Sequence, residues 1–441
     1  MTRQTLILTI AGILLSIVLI IIYAFLRRFY RKQRFLRLDR SRDRYNPIVS
    51  AMVQCPGQVN VKRLAASPGS LDWIAVEEAL IHYIAAAKPE QYRRMYAWFE
   101  ELGYVDYYLK QLKSSRMWER ARAAEHLGVI RCSRAVDALI QVVNDKKRDV
   151  RNMVVYSLGL IGDPRGLPAI MGSLKTGVYS LEEVSLRIVK SAIISFGSDS
   201  VNVLRSGLKN QNWRVRCVVV DILGDLEGPS VVEDLSLSLF DIEPDVRAKA
   251  AKGLGKHKAL SAAEHLMQLS GDSSWVVRLH SIRALGLMNA VDAVDKIKFG
   301  LLDTNWQVRR AAAEALGMMD GHALEALRDI LLNHEDVYAK EMVVEEMQRT
   351  GLVWQVVAGL EDDNDGVRKM AGDTLYAMGQ NNAFAPLINA LERGSTVVRR
   401  EMIRILARFK AVRAMDAIKA AADNDIDAEI RRAARAVLGY P

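Results

Sequence analysis

The chain is 441 residues long, half of it hydrophobic, with ten prolines and three cysteines, which is apolar material for one large core or several. Cys55, Cys132 and Cys217 stand far apart with no CxxC, which excludes a disulfide framework and a thiolate zinc site and fits a reducing compartment. The net charge of +9 invites a nucleic-acid partner, but the first 44 residues carry eight of those nine charges, so the body is close to neutral, which argues against nucleic acid.

Residues 1–4 form a short N-terminus, expected to be extracytoplasmic, and Thr5 to Leu26 then runs 22 residues without a charge. At about 1.5 Å per residue such a helix reaches ~33 Å, enough for a hydrocarbon core of about 30 Å. A single transmembrane helix is therefore expected over 5–26. A cleaved signal peptide fits less well, because the apolar run is long, no small-residue cleavage site follows, and the basic flank is on the wrong side. Arg3 is the one charge before the span, whereas Arg27 to Arg44 holds nine Arg and Lys against Asp39 and Asp43. That asymmetry predicts a single-pass protein of the cell inner membrane with its body in the cytoplasm. In the basic juxtamembrane segment 27–44, Arg27, Arg28, Arg31, Lys32, Arg34 and Arg37 are the expected contacts with anionic lipid headgroups, each worth about 1 kcal/mol near the surface.

Residues 45–70, with Pro47, Pro56, Pro68, Gly57 and Gly69, read as a linker. Aromatic-rich helical patterns over 71–116 read as an N-terminal cap.

From Met117 onward the sequence repeats. DTNWQVRRAAAEALG, starting at Asp303, lies over DSSWVVRLHSIRALG, starting at Asp272, at an offset of 31. One arginine marks the unit, at Arg120, Arg151, Arg216, Arg247, Arg278, Arg309, Arg368, Arg399 and Arg431, with Lys340 in the slot after Arg309. A degenerate unit is expected between Arg151 and Arg216, its helix supplied by Leu181 to Gly197. Asn212, Glu243, Ser274, Asn305, Asp336, Asn364, Ser395 and Asp427 stand four residues before their markers and are predicted helix N-caps. The Leu-Gly pairs ending at Gly224, Gly255, Gly286 and Gly317 are predicted left-handed stops. A second helix fills the rest of each unit, as in Ala290 to Asp303. Such a pair cannot bury its apolar stripes alone, so neighbours must stack. The expected fold is all-α, a right-handed α-solenoid of about eleven helix pairs over 117–441.

This grammar, D-x-x-x-x-V-R followed by an alanine-rich helix ending in L-G, resembles the HEAT and HEAT-like (armadillo-type) repeat family over most of the chain. The resemblance implies a structural ladder of Asp and Arg side chains between adjacent repeats, here Asp241, Arg247, Asp272, Arg278, Asp303 and Arg309. It also implies a scaffold or adaptor that binds a protein partner. The resemblance to membrane-anchored bacterial HEAT proteins implies an envelope setting, such as a polysaccharide-synthesis complex.

His334-Glu335 is the one His-Glu pair, too few for the di-iron site of deoxyhypusine hydroxylase. The seven histidines are scattered without metal-ligand spacing, and no P-loop or G-x-S-x-G appears. No catalytic residue, metal or cofactor is expected. An enzyme of the bilin-lyase type is the alternative, since that activity is not announced by a compact motif.

Two features are candidate partner-binding surfaces. Trp213, Trp275 and Trp306 share one place in their repeats and form either an aromatic ridge or covers for the neighbouring turns. Arg400, Arg404 and Arg408, spaced at four on one helix face, precede Arg431, Arg432 and Arg435 in the last unit, as a basic docking face or an ordinary solvated one. The final helix keeps the internal repeat pattern, so that end either docks an acidic surface of a partner or a second copy, or leaves too little exposed apolar area to matter.

Overall fold

The computed structural model describes residues 3–55, 60–174, 184–319 and 321–440, the side chains of 3–14, 89 and 90 excepted. Among the described residues every regular element is helical. The sequence reads as one array over 117–441, but the chain divides into two compact units, 1–203 and 204–441.

The first unit begins with a helix from Arg3 to Gln54 that contains Pro47. It takes in the first ten residues of the expected linker. Tyr45, Val49 and Met52, spaced four and three apart, are buried against the helix Leu71–Ala85. Ser41 Oγ donates to Asp72 Oδ1 at 2.7 Å, and Arg42 Nε to Glu78 Oε2 at 2.8 Å. This packing outweighs the one ladder bond that proline cannot make. Residues 56–59 of the expected linker lie outside the described residues, and Val61–Leu64 is a 3-10 turn. Of the expected span Thr5–Leu26, the side chains of 5–14 are also outside them; among the described residues no helix is long and apolar enough to cross a membrane.

Leu71–Ala85, Pro89–Glu101 and Tyr104–Gln111 then gather Trp73, Phe99, Tyr104 and Tyr108 into an aromatic core. Repeating helices follow, Met117–Val129 with Val136–Val142, Arg148–Ile161 with Leu167–Gly172, and Leu186–Ile194. Residues 181–183, expected to open the degenerate unit, lie outside the described residues.

In the second unit the pairs succeed one another regularly. Trp213–Leu223, Pro244–Lys256, Trp275–Leu287, Trp306–Gly317 and Val337–Thr350 are first helices. Pro229–Ser238, Ala263–Leu269, Val294–Gly300 and Ala323–Asn333 are the second helices between them. Val246 and Leu254, Val277 and Leu285, and Val308 and Leu316 fill equivalent core places and are almost wholly buried. All eight expected N-caps occupy that position, and six of them accept a backbone N–H through the side chain; Glu243 and Ser274 do not.

The Leu-Gly stop needs correction. Gly224 closes its helix at φ −62°, in the right-handed region, and Gly255 and Gly286 sit inside helices that run on past them. The left-handed residues come three positions later, at Lys258 (φ 49°) and Asn289 (φ 54°). What the glycine supplies is room: a Cβ on Gly286 would lie 2.7 Å from Ala315 Cα in the next first helix, and one on Gly255 would lie 2.9 Å from Ala284 Cα. Helix axes approach here closer than any side chain allows.

Candidate functional site

The marker arginines are the most regular polar feature of the molecule. In the second unit, Arg278 reaches forward 25 residues, its Nε and Nη2 donating to Asp303 at 2.6 and 2.8 Å, while Nη1 donates to the carbonyl of Asp272 at 2.9 Å. Asp303 Oδ1 in turn accepts the N–H of Asn305 at 2.8 Å. Arg216 with Asp241 and Arg247 with Asp272 repeat this arrangement, as does Arg120 with Asp145 in the first unit. Each aspartate thus clamps the previous repeat and pins its own loop. Burial pushes the carboxyls of Asp145, Asp241 and Asp303 up, but the guanidinium and backbone bonds outweigh it and hold them below the ordinary carboxylate range.

The ladder breaks where its residues change. Arg309 would reach residue 334, which is His334; the imidazole Nδ1 takes over only the loop bond, accepting from the N–H of Asp336 at 3.1 Å. The Arg309 guanidinium lies instead over the ring of Tyr338, 5.2 Å from its centroid. Arg368 would reach Arg393, and it bonds its own loop carbonyls at Asp362 and Asp363.

The three tryptophans begin successive or nearby first helices, on one edge of the second unit. Trp213 is half-buried under the guanidinium of Arg214, Trp275 is 39% exposed, and Trp306 is 60% exposed. The equivalent places hold Pro244 and Val337, the latter exposed; Ile242, 86% exposed, stands two residues before Pro244, and exposed Tyr338 directly follows Val337. The candidate surface read from the sequence was confined to the tryptophans and so left out Ile242, Val337 and Tyr338.

The basic candidates near the end divide. Arg431 donates to the carbonyls of Asp425 and Ile426 in its own loop, as Arg368 does to its own. Arg400 pairs with Glu429, Arg404 stands 3.6 Å from Glu401, and Arg408 lies over the Tyr376 ring. Arg432 and Arg435 are exposed without an ion pair among the described residues. Arg27, Arg28, Arg31, Lys32, Arg34 and Arg37 are likewise exposed and unpaired among the described residues.

One constellation escaped the sequence reading. Glu77 is buried in the first unit and accepts from Tyr108 Oη, from Arg122 Nη2 at 2.6 Å and from His126 Nδ1 at 2.9 Å. Burial alone raises such a carboxyl; the bonds from His126 and Tyr108 and the charge of Arg122 overcome it and leave Glu77 below its usual value. The signal was present in the spacing, since Trp73, Glu77, Leu80 and Ile84 fall on one helix face.

Fold and ladder together define an α-helical repeat protein. Family descriptions for HEAT repeats match residues 105–187, 201–278, 232–302, 263–348 and 355–439, more than half of the chain, which therefore belongs to the HEAT-repeat family. Among curated proteins none matches the sequence. Solved structures similar to it include an engineered protein, 18% identical with a TM-score of 0.32, the alignment covering 86% of this chain and 98% of the other. Kap95p, in a structure concerned with its effect on the switch loops of RanGDP, is 14% identical with a TM-score of 0.40, over 92% of this chain and 64% of Kap95p. Kap121p bound to Nup53p is 11% identical with a TM-score of 0.42, over 86% of this chain and 52% of Kap121p. The chain spans about half to two thirds of the length of those two proteins.

Proposed function

We propose that the protein is a membrane-anchored scaffold that holds a partner protein on the edge of its second unit. The observation that carries this reading is where large apolar side chains stand exposed. One place is the long first helix, where Leu15, Ile17 to Tyr23, Phe25 and Leu26 all face solvent and the unpaired basic residues follow directly. A helix apolar all round suits lipid, and the charge asymmetry puts the repeats on the cytoplasmic side of the inner membrane. The other place is the edge carrying Ile242, Trp275, Trp306, Val337 and Tyr338; clustered exposed aromatics of this kind are enriched in binding hot spots. The setting we favour is an envelope assembly, such as a polysaccharide-synthesis complex, whose members lie at the same membrane.

A photo-crosslinking amino acid in place of Trp306, in the intact full-length chain, is expected to give one discrete protein adduct in cells, lost when Ile242→Ser and Trp275→Ser are added. Absence of an adduct from positions 242, 275, 306 and 338 alike would remove the edge from the account.

A further inference from the structure

Beside the Glu77 cluster lies a cavity of about 210 Å³, its lining including Arg34, Trp73, Gln111, Trp118 and Arg122. Sites for drug-sized ligands run to roughly 300–1,000 Å³, so this one takes a small group, not a nucleotide. Trp73 is 4% exposed, and its buried indole N–H has no hydrogen-bond partner; the buried Oε1 of Gln111 has none either. Buried polar atoms are rarely left unpaired, and here an unmet donor and an unmet acceptor belong to two residues of one cavity's lining.

The charges around it narrow the chemistry. Glu77 is already satisfied by Tyr108, Arg122 and His126. Glu119, also in the lining, is held by Ser114 and by Arg116 at 3.1 Å. Arg34 alone of the lining charges forms no ion pair among the described residues. An oxyanion accepting from Arg34 and the Trp73 N–H, and carrying a hydroxyl that donates to Gln111, matches these three groups.

We propose that this cavity binds a glycerophosphate group, delivered as the headgroup of a bilayer phospholipid. The lipid source rests on the membrane reading above and on a second feature: Arg34 also ends an apolar groove of about 460 Å³ along the first helix, lined by Tyr23, Leu26, Arg27, Tyr30 and Arg31. Arg34 is eight residues beyond Leu26, ~12 Å along the helix, at the depth of a headgroup.

The test uses the full-length protein in nanodiscs of phosphatidylcholine with and without phosphatidylglycerol, with retained lipids counted by native mass spectrometry. Thermal melts with free sn-glycerol 3-phosphate run beside it. Wild type is expected to retain one phosphatidylglycerol per chain; Arg34→Glu lowers that occupancy about tenfold, as loss of a charged hydrogen bond does. Trp73→Phe and Gln111→Leu lower it severalfold, and Lys296→Glu, an exposed residue of the second unit outside the cavity lining, leaves it unchanged. Should Arg34→Glu melt early, the two milder variants decide. Resistance of the chain to alkaline carbonate extraction judges the membrane reading separately. If that reading fails, a melting rise with glycerol 3-phosphate in wild type and not in Trp73→Phe sustains the cavity with a soluble ligand. Equal retention in all variants, or neither retention nor a melting rise, overturns the proposal.

Discussion

An arginine that reaches 25 residues forward ties two repeats with one side chain, and the aspartate it meets ties down a loop. Arg278 and Asp303 are 15% and 10% exposed, so truncating one leaves a largely buried, unpaired charge. Arg278→Ala is expected to cost about 2–3 kcal/mol, somewhat less than a fully buried pair, and the cycle with Asp303→Ala to show a coupling of about 1–2 kcal/mol. Arg309→Ala should cost under about 1 kcal/mol, since its guanidinium lies over the face of Tyr338, an exposed ring, and forms no ion pair among the described residues. Urea unfolding of the variants checks this; equal losses at the two arginines would mean that the ladder bonds contribute nothing particular. At this scale the spacing of Asp272, Arg278, Asp303 and Arg309 was legible, and the partner was not. Asp272, six residues before Arg278, is the nearest carboxylate to it in sequence, but a helix start separates them, and only stacking brings the next repeat's Asp303 to the guanidinium. The Glu77 cluster was hidden for the same reason: Tyr108, Arg122 and His126 come from other helices.

At the scale of the helix, glycine was read for its backbone freedom when its value here is its size. Gly286→Ala would set a Cβ 2.7 Å from the Cα of Ala315, backbone that cannot turn aside, and is expected to destabilise by about 1–3 kcal/mol through overpacking. Gly372, inside the helix Asp365–Gln380, meets nothing nearer than 3.6 Å, so Gly372→Ala should stabilise by about 0.5–1 kcal/mol through helix propensity. Thermal melts of the two variants should therefore move in opposite directions, and a Gly286→Ala melt at or above wild type would refute the close-approach account. The N-caps were legible because Asn212, Asn305 and Asp427 act within two residues of themselves. The helix through Pro47 was not, because proline, a local signal, was outweighed by burial of Tyr45, Val49 and Met52 against a helix that begins at Leu71.

For the whole molecule, periodicity carried the class: a unit that recurs at 31 residues and cannot bury its own stripes must stack. Its division at residue 203 into two compact units left no mark in that period. The central claim is that the chain crosses a membrane once, near its start, and presents its repeats on the cytoplasmic side. Its most direct test starts from a full-length chain with Cys55, Cys132 and Cys217 replaced by serine, carrying a single cysteine at Thr2 or at Tyr440, and measures labelling in intact cells by a membrane-impermeant maleimide. The account predicts labelling at position 2 in intact cells and at position 440 only after permeabilisation. Labelling at 440 in intact cells, or at neither position until permeabilisation with the chain recovered in the soluble fraction, would contradict it.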